Sequence, residues 1–282
     1  MQQAIVTVPK ATLYKSISVN NHCLLGQEVS DELLSGWTLN VDGRQRNFLK
    51  ITTQYGYSGW LNCSDVQKLT PKELSIWNDS RSPYRLTQRL TDVLAVPKVQ
   101  APVLTTLFMG SMVIPYGCPC DGWQGIKLAD GSLGYLPSIA VSAQPPECLK
   151  DTDSLRSLVL NYALSYLGTQ YRWGGKTHEG IDCSGLAFMS YYMCGITIYR
   201  DAAIQEGYPV QEIPFSQLKP ADLLYFPGHV AIYLGNSKYI HSTGNIKSYG
   251  CVINSLDPAS SDYRADLAES LYAAGSVFSQ AA

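Results

Sequence analysis

The sequence of 282 residues has no window of about 20 uninterrupted apolar residues, which is the length that spans a bilayer. It has no low-complexity tract, and its 45% hydrophobic and 16% charged residues are typical of folded cores. No stretch gathers five or more basic residues, and 21 Lys and Arg against 23 Asp and Glu give a formal net charge of -2. We therefore expect no membrane span and no nucleic-acid partner, with a monomer as the default state.

Closely spaced cysteines are scarce as well. The eight cysteines are scattered along a long chain, which favours reduced thiols over a disulfide framework. The closest pair, Cys118-Pro119-Cys120, lacks the two further ligands of a zinc site, so we expect no metal and no cofactor. The N-terminal residues show no basic segment followed by an apolar one, which predicts no secretory signal. A cytoplasmic location is the expectation, and export of a longer precursor is the alternative.

An internal repeat occupies the first half of the chain. One copy runs over residues 13–61 and the other over residues 94–136. The matched features are Leu25-Gly26 with Met109-Gly110, Val29 with Val113, Gly36-Trp37 with Gly122-Trp123, and Gly59-Trp60-Leu61 with Gly134-Tyr135-Leu136. Both copies alternate apolar with polar residues between glycine-containing turns, which predicts a small antiparallel β-barrel for each.

The first copy is the longer one. Its residues 40–47 (NVDGRQRN) predict an extended hairpin tip with Asp42-Gly43 as the turn, and such a tip can reach a neighbouring domain. The pair of copies resembles a tandem of bacterial SH3-like domains, which are small barrels often attached to cell-wall enzymes. We interpret the second copy as a spacer.

The pattern changes from about residue 150 onward. Asp153 and Ser154 precede a helical apolar stripe that Gly168 closes, and a second helical run extends from Cys183 to Cys194. Two strands then flank Gly235-Asn236-Ser237 and predict a β-hairpin. The order of helices followed by strands is typical of an α+β domain.

Cys183 is the candidate nucleophile of this region. It begins the second helix, where unpaired amides and the positive end of the helix dipole favour a thiolate and are expected to lower the pKa of the thiol. An ordinary buried thiol is the alternative interpretation, because most cysteines are of that kind. A thiolate also needs an imidazole to hold it and later to protonate the leaving amine.

Four histidines are available, and two of them, His229 and His241, lie on the adjoining strands of the predicted hairpin. His22 falls in the first copy of the repeat and His178 in a polar loop. In a hairpin the numbers of paired residues sum to a constant, and 229 and 241 share a face only if that constant is even. An odd-length loop or a bulge is therefore required. A three-residue loop pairs Leu234 with Lys238 and leaves the two histidines one diagonal step apart.

The third region resembles the NlpC family of papain-like cysteine peptidases from bacterial cell-wall metabolism. The motifs that carry the resemblance are Tyr171-Arg172-Trp173-Gly174-Gly175, Asp182-Cys183-Ser184-Gly185, Arg200-Asp201, Lys219-Pro220-Ala221-Asp222, Gly228-His229-Val230-Ala231-Ile232-Tyr233 and His241-Ser242. The resemblance implies that Cys183 attacks, that His229 acts as base and then acid, and that His241 orients His229. It also implies that Tyr171 and the Cys183 amide hold the oxyanion.

This resemblance gives the expected architecture: an α+β papain-like catalytic domain preceded by two small all-β SH3-like barrels. The expected boundaries are 1–72 for the first barrel, 73–88 for a linker, 89–146 for the second barrel and 147–282 for the peptidase domain.

Family members with attached SH3-like barrels cut the bond between γ-D-glutamate and a diamino acid, diaminopimelate or lysine, in stem peptides with a free N-terminal L-alanine. Such a rule requires a closed cleft and an acid that pairs with the α-amino group. The candidates for substrate contact are Asp182, Ser184, Trp173, Tyr57 and Glu28. The acid is expected at the position of Gln27, which has an amide side chain, so the next residue, Glu28, is the candidate.

The chain also departs from the family pattern after Arg200-Asp201, where it has Ala202-Ala203 and relatives can carry a serine that contacts substrate.

Two alternatives to this peptidase stay open. One is a wall-binding protein without catalysis, whose barrels grip peptidoglycan. The other is a related amidase that acts on a sugar–peptide bond, in which an acid or amide is commoner than a histidine at the third position.

Overall fold

The protein is represented by a computed structural model that describes residues 2–17, 28–79, 83–143 and 151–278. The chain divides into two compact units, Met1–Pro145 and Pro146–Ala282. Within the described ranges, we find no helix with the length and apolar character that crossing a membrane requires.

The first unit is built from short antiparallel strands. They are β1 (Gln2–Val6), β2 (Lys10–Tyr14), β3 (Val29–Leu34), β4 (Thr38–Gln45), β5 (Phe48–Thr53), β6 (Ser58–Asn62), β7 (Val66–Lys68), β8 (Tyr84–Leu86), β9 (Leu90–Leu94), β10 (Val103–Phe108), β11 (Met112–Cys120), β12 (Trp123–Lys127), β13 (Leu133–Pro137) and β14 (Val141–Ala143). Helix α1 (Pro71–Asn78) follows β7; Thr70 caps it, and Glu73 completes a capping box. Along β5, Leu49, Ile51 and Thr53 are buried in turn, as the period of two in a half-buried strand requires.

These strands form two seven-stranded sheets with the same internal order. The first is β3-β2-β6-β5-β4-β1-β7 and the second is β10-β9-β13-β12-β11-β8-β14, so each strand has its counterpart seven strands later. The structure confirms the internal repeat. The identification of the two sheets with SH3-like domains is not confirmed, and the domain boundaries given above stay predictions.

The predicted alignment of the two copies was right for the Gly-aromatic-Leu runs, which lie in the equivalent strands β6 and β13. It was wrong for Val29, which lies in β3 while Val113 lies in β11, and for Gly36-Trp37. The turns at Gly56 and Gly131 are equivalent, because they connect β5 to β6 and β12 to β13. Gly36, however, precedes β4 and corresponds to Gly110 before β11, whereas Gly122 lies between β11 and β12. Both kinds of turn place a glycine at positive φ, so residue type alone could not tell them apart. Leu25-Gly26 lies outside the described residues.

The predicted turn at Asp42-Gly43 was also wrong. Both residues lie within β4, where the register with β5 shifts between Val41 and Gly43 and indicates a β-bulge. The chain reverses at Arg46 and Asn47 instead, with Arg46 at φ 54. The bulge uses the glycine that the sequence analysis assigned to the turn.

The second unit has a six-stranded antiparallel sheet with helices packed on it. Its elements are α2 (Thr152–Ser165), β15 (Lys176–Thr177), β16 (Gly180–Ile181), α3 (Cys183–Tyr192), β17 (Gln211–Ile213), β18 (Leu223–Phe226), β19 (His229–Gly235), β20 (Lys238–Thr243), β21 (Gly250–Ser255), α4 (Ala265–Ser270) and β22 (Ala273–Ser276). The sheet order is β17-β22-β18-β19-β20-β21, and α3 packs against α2, β19 and β20. Asp151 caps α2, so this helix begins slightly before the predicted cap at Asp153 and Ser154.

The expected class, an α+β papain-like domain after two small barrels, was wrong for this chain. Strands dominate the described residues, which form four sheets, and the second unit itself rests on six strands. The two strands of the histidine hairpin were predicted from the sequence, but β17, β18, β21 and β22 were not. These strands are short, and the alanines and glycine of β22 give no alternating apolar pattern.

The turn before β4 joins the two sheets of the first unit, and it provides a stability test. The Met112 amide donates to the Ser35 carbonyl at 2.9 Å, and Trp37 Nε1 donates to the Gly110 carbonyl at 2.9 Å. Gly36 has φ +81, and a Cβ there would lie 2.2 Å from the Met112 carbonyl oxygen.

We expect Gly36→Ala to lower the free energy of unfolding of the first unit by about 3 kcal/mol or more, because strain from the positive φ adds to a backbone clash. Gly117→Ala is the matched control: Gly117 has φ +66, but a Cβ there would have nothing within 4 Å. The control should lose about 1 kcal/mol. Urea unfolding of both variants measures the difference, and equal losses would show that the joint contributes nothing.

Candidate active site

Cys183 lies at the first turn of α3, where its neighbour Asp182 caps the helix. Asp182 Oδ1 accepts a hydrogen bond from the Gly185 amide at 2.6 Å. Gly185 is required at this point, because a Cβ there would lie 2.2 Å from the Gly175 carbonyl oxygen. The loop and the start of the helix therefore fit closely around the sulfur, which is buried.

The Asp182 carboxylate is held from several sides. Arg200 Nη1 and Nη2 donate to its two oxygens at 3.1 Å each, and the Gly174 amide donates to Oδ2 at 2.8 Å. Arg200 also donates to Ser184 Oγ at 2.7 Å. Both charged side chains are buried, so each compensates a charge that would otherwise be costly. The residues on either side of Cys183 are thus tied to one arginine.

The two candidate imidazoles lie on β19 and β20 in direct contact. His229 Nε2 and His241 Nδ1 are 2.7 Å apart. Ile232 pairs with Ile240 and Tyr233 with Tyr239, so the pair numbers sum to the even constant that the shared face requires. The structure confirms that the two histidines share a face of the hairpin.

The loop geometry differs from the expected three-residue loop. Gly235, and not Leu234, pairs with Lys238, and the register shifts between Tyr233 and Gly235. Asn236 and Ser237 form a two-residue turn at φ 50 and φ 60. The even register therefore comes from a bulge in β19, which was the second possibility.

Cys183 meets this hairpin through the packing of α3 on β19. The backbone amide of Val230, the residue after His229, hydrogen-bonds to the sulfur. Because His229 Nε2 faces His241, Nδ1 is the ring atom of His229 left for the thiol. The structure thus places Cys183 against the strand that carries His229, and places His229 in contact with His241. The catalytic roles of the three residues stay predictions.

The predicted lowering of the thiol pKa was wrong. Burial raises the pKa of Cys183 from 9.0 to about 11, and the Asp182 carboxylate raises this pKa further. The backbone amides of Val230 and Ser184 lower it, in the direction expected from the helix end, but burial outweighs them. The position of Cys183 at a helix end can be read from the sequence, whereas its burial depends on the packing of distant residues.

Burial acts on the imidazoles as well. It lowers the pKa of His229 from 6.5 to about 3, with a further contribution from His241. It lowers the pKa of His241 to about 4, against a hydrogen bond to Asn254 Oδ1 that raises it. Thiol and imidazoles are therefore all neutral near pH 7, and a proton passing from sulfur to His229 leaves the group as a whole uncharged.

Tyr171 lies beside the cysteine, where it forms a backbone bridge with Ile181. Its ring packs edge-on to Tyr249 with centroids 6.1 Å apart, and a Cβ at Gly244 would lie 3.3 Å from the ring. Burial, followed by the nearby Cys183 and Asp182, raises the pKa of Tyr171. The phenol therefore keeps its proton at neutral pH and is able to donate a hydrogen bond.

The other candidates for substrate contact occupy varied surroundings. Asp182 and Ser184 flank the sulfur as described, and Trp173 is 62% exposed one residue before Gly174. In the first unit, Tyr57 is half-buried and donates its amide to Thr53 Oγ1, while exposed Glu28 lies 3.5 Å from Lys15. The substrate contacts of these five residues stay predictions, and Gln27 lies outside the described residues.

The remaining histidines have other surroundings. The ring of His178 stacks on Tyr166 with centroids 4.0 Å apart, and His22 lies outside the described residues. Across the described ranges, no cluster of three or more His, Cys, Asp or Glu side chains could hold a metal ion.

Two contributors were not found from the sequence. Arg200 appeared there only as part of a motif, although it pairs with Asp182. Asn254, on β21, lies 2.9 Å from His241 and was missed. The pairing of β21 with β20 carries the signal that could have found it, because Asn254 pairs with Tyr239 and so lies two positions along the ladder from His241.

The Asp182–Arg200 pair gives a stability prediction. We expect Arg200→Ala to lower the free energy of unfolding of the second unit by about 3–5 kcal/mol, because it leaves a carboxylate buried without its partner. Arg172→Ala is the control: its ion pair with Glu179 is 3.4 Å long and partly exposed, and its loss should cost about 1 kcal/mol or less. Urea unfolding distinguishes the two, and a small loss for Arg200→Ala would contradict the argument.

The raised thiol pKa gives a second prediction. The thiolate fraction of Cys183 should be small at pH 7, so the rate of its alkylation by iodoacetamide should still rise about tenfold per pH unit between pH 7 and 10. Mass spectrometry of the peptide that contains Cys183 measures this rate apart from exposed Cys118 and Cys120. A rate that levels off below pH 8 would instead indicate a stable thiolate in the free protein.

Comparison with known proteins identifies the family of the chain. The model of the NlpC/P60 family matches residues 168–264. Dipeptidyl-peptidase 6 of Lysinibacillus sphaericus is 37% identical over 283 residues, covering 98% of this chain and 99% of the relative. A γ-D-glutamyl-L-lysine dipeptidyl-peptidase of Bacillus subtilis is 35% identical over 91 residues, which are 29% of this chain and 30% of that protein.

A solved structure shows the same fold. The crystal structure of an NlpC/P60 family protein from Bacillus cereus superposes with a TM-score of 0.77 at 18% identity, covering 96% of this chain and 98% of the other. With a relative similar over almost its whole length, the chain belongs to the NlpC/P60 family and is a peptidase of that family.

Proposed function

We propose that this peptidase hydrolyses the bond between γ-D-glutamate and a diamino acid in peptidoglycan stem peptides that have a free N-terminal L-alanine. The observation that carries the proposal is a buried cysteine at a helix start, whose sulfur bonds the backbone amide next to one of two hydrogen-bonded histidines. The names of two relatives support the choice of bond, since one is a dipeptidyl-peptidase and the other acts on a γ-D-glutamyl-L-lysine link.

Cys183 and His229 carry the covalent chemistry of the proposal. As Cys183 Sγ attacks the γ-carbonyl carbon, its proton passes to His229 Nδ1, which then protonates the leaving amine of the diamino acid. The thioester that remains is hydrolysed by a water molecule that His229 deprotonates, and the sulfur recovers its proton. The low pKa of His229 favours protonation of the leaving amine, because the protonated ring readily donates its proton.

Tyr171 and the Cys183 amide would stabilise the oxyanion that forms on the carbonyl oxygen. The Cys183 amide is one of the unpaired donors at the start of α3. The raised pKa of Tyr171 keeps its hydroxyl protonated, so it is a neutral donor for developing negative charge. Removal of one such donor typically lowers kcat by about 10²–10³.

The free-amine rule is assigned to the groups next to the sulfur. Asp182 lies beside Cys183, and a substrate ammonium group would join Arg200 among its partners. Ser184 offers a hydroxyl, and Trp173 offers an exposed ring one residue before the Gly174 amide that binds Asp182. The diamino acid of the proposed substrate is diaminopimelate or lysine. The proposal also includes a cytoplasmic location and a monomeric state, as expected from the sequence.

The proposal is tested with three substrates. The full chain is incubated with L-Ala-γ-D-Glu-diaminopimelate, with its N-acetylated form, and with an N-acetylmuramyl peptide that carries the sugar–peptide amide bond. We expect release of L-Ala-γ-D-Glu from the first, with kcat/KM at least about tenfold below this for the acetylated form, since an ion pair is lost. Liquid chromatography with mass spectrometry measures the products, and Cys183→Ser is the inactive control.

Each other result contradicts a different part. Equal cleavage of the free and acetylated peptides removes the free-amine rule, and cleavage of the sugar amide alone indicates an amidase. No cleavage of any substrate favours the wall-binding protein.

A further inference from the structure

Asn254 forms hydrogen bonds both to His241 and to the backbone carbonyl of Asp262. It lies on β21 and is 8% exposed. Its Oδ1 is 2.9 Å from His241 Nε2, and its Nδ2 donates to the Asp262 carbonyl oxygen at 2.8 Å. His241, in turn, contacts His229 through its other ring nitrogen. The side chain therefore connects the backbone at residue 262 to the proposed catalytic base.

The Asp262 carbonyl fixes which way the amide of Asn254 points. This oxygen also accepts the Ser255 amide at 3.1 Å, and the carboxylate of the same residue is held by Lys238 Nζ at 2.6 and 2.8 Å. A reversed amide would place Asn254 Oδ1 against the Asp262 oxygen, so that two acceptors would face each other at hydrogen-bond distance. Asn254 must therefore present its oxygen to His241.

The direction of every later bond follows from this one. An oxygen at His241 Nε2 requires a proton on that nitrogen, and the neutral ring then has a lone pair on Nδ1. That lone pair faces His229 Nε2 at 2.7 Å, so Nε2 carries the proton of His229. The lone pair of His229 is left on Nδ1, the ring atom available to Cys183.

We infer that Asn254 is a positioning residue that sets the tautomers of both histidines and thereby makes His229 Nδ1 a proton acceptor for Cys183. The inference rests on the proposed function for its catalytic consequence, but the tautomers exist in the free protein. Without Asn254, His241 is able to carry its proton on Nδ1 and donate it to His229 Nε2, which reverses the hydrogen bond between the two rings. His229 would then carry a proton on Nδ1 and could not receive one from sulfur.

The test reads the tautomers directly by nuclear magnetic resonance of the full chain with ¹⁵N-labelled histidine. Four histidines give few signals, which single His→Gln variants assign. We expect His229 and His241 both to carry the proton on Nε2 in the unsubstituted protein at pH 7. A proton on Nδ1 of either ring overturns the inference, and this result needs neither a variant nor a substrate.

Asn254→Ala supplies the second reading. We expect it to shift His241 toward the Nδ1–H tautomer and to lower kcat for the stem peptide by about 10–100-fold with little change in KM, as for other residues that orient a functional histidine. Ser255→Ala is the control, because the hydroxyl of this buried neighbour on β21 bonds the Ser237 carbonyl and the Asp257 amide. Unaltered tautomers in Asn254→Ala, or an equal loss of kcat in Ser255→Ala, contradict the inference.

The two proposals fail in different ways. A protein that cleaves no stem peptide but shows the expected tautomers refutes the function and leaves the role of Asn254 intact. A protein that cleaves the peptide but shows a proton on His229 Nδ1 keeps the function and refutes the inference.

Discussion

The carboxylate of Asp182 is the group on which the site depends. It caps α3 through Gly185, holds the loop through Gly174 and binds the guanidinium of Arg200. Each partner belongs to a different segment of the chain, and all of them bind the side chain of the residue directly before Cys183. A negative charge in a buried position is tolerated here because a buried cation accompanies it. Together with burial, the same charge disfavours a thiolate at the adjacent Cys183. The carboxylate that positions the sulfur therefore also helps to keep it protonated.

The proposed base, His229, lies on a hairpin in which one extra residue decides the geometry. The bulge between Tyr233 and Gly235 changes the register of β19 and β20, so that His229 and His241 fall on one face. Without it the two rings would lie on opposite sides of the sheet. Depth then makes both rings poor bases in isolation, and their low pKa values follow from burial more than from any single neighbour. In the proposed mechanism, attack by Cys183 therefore requires that its proton move to His229 in the same step, because the free protein holds no thiolate.

The sequence allowed the pair of histidines and the need for an even register to be predicted, because strand pairing follows a strict period of two. It also showed that the first half is repeated, since the Gly-aromatic-Leu runs before β7 and β14 are local patterns.

Features that depend on distant partners were not predicted. Burial of Cys183, the contact of Arg200 with Asp182 and the place of Asn254 all arise from packing across the sheet or between loops. The short strands β17 and β22 were missed for the same reason, because pairing of β17 with β22 and of β22 with β18 stabilises them more than their own residues indicate.

The joint between the two sheets of the first unit has a further consequence. Gly36 and Gly110 occupy equivalent turns, and the residues around one contact the residues around the other. A surface that meets its own counterpart is the arrangement of a two-fold homodimer. Here both halves belong to one polypeptide, so the segment between β7 and β8 supplies a local concentration that dilution cannot change. The contact is therefore independent of protein concentration and forms within every folded molecule.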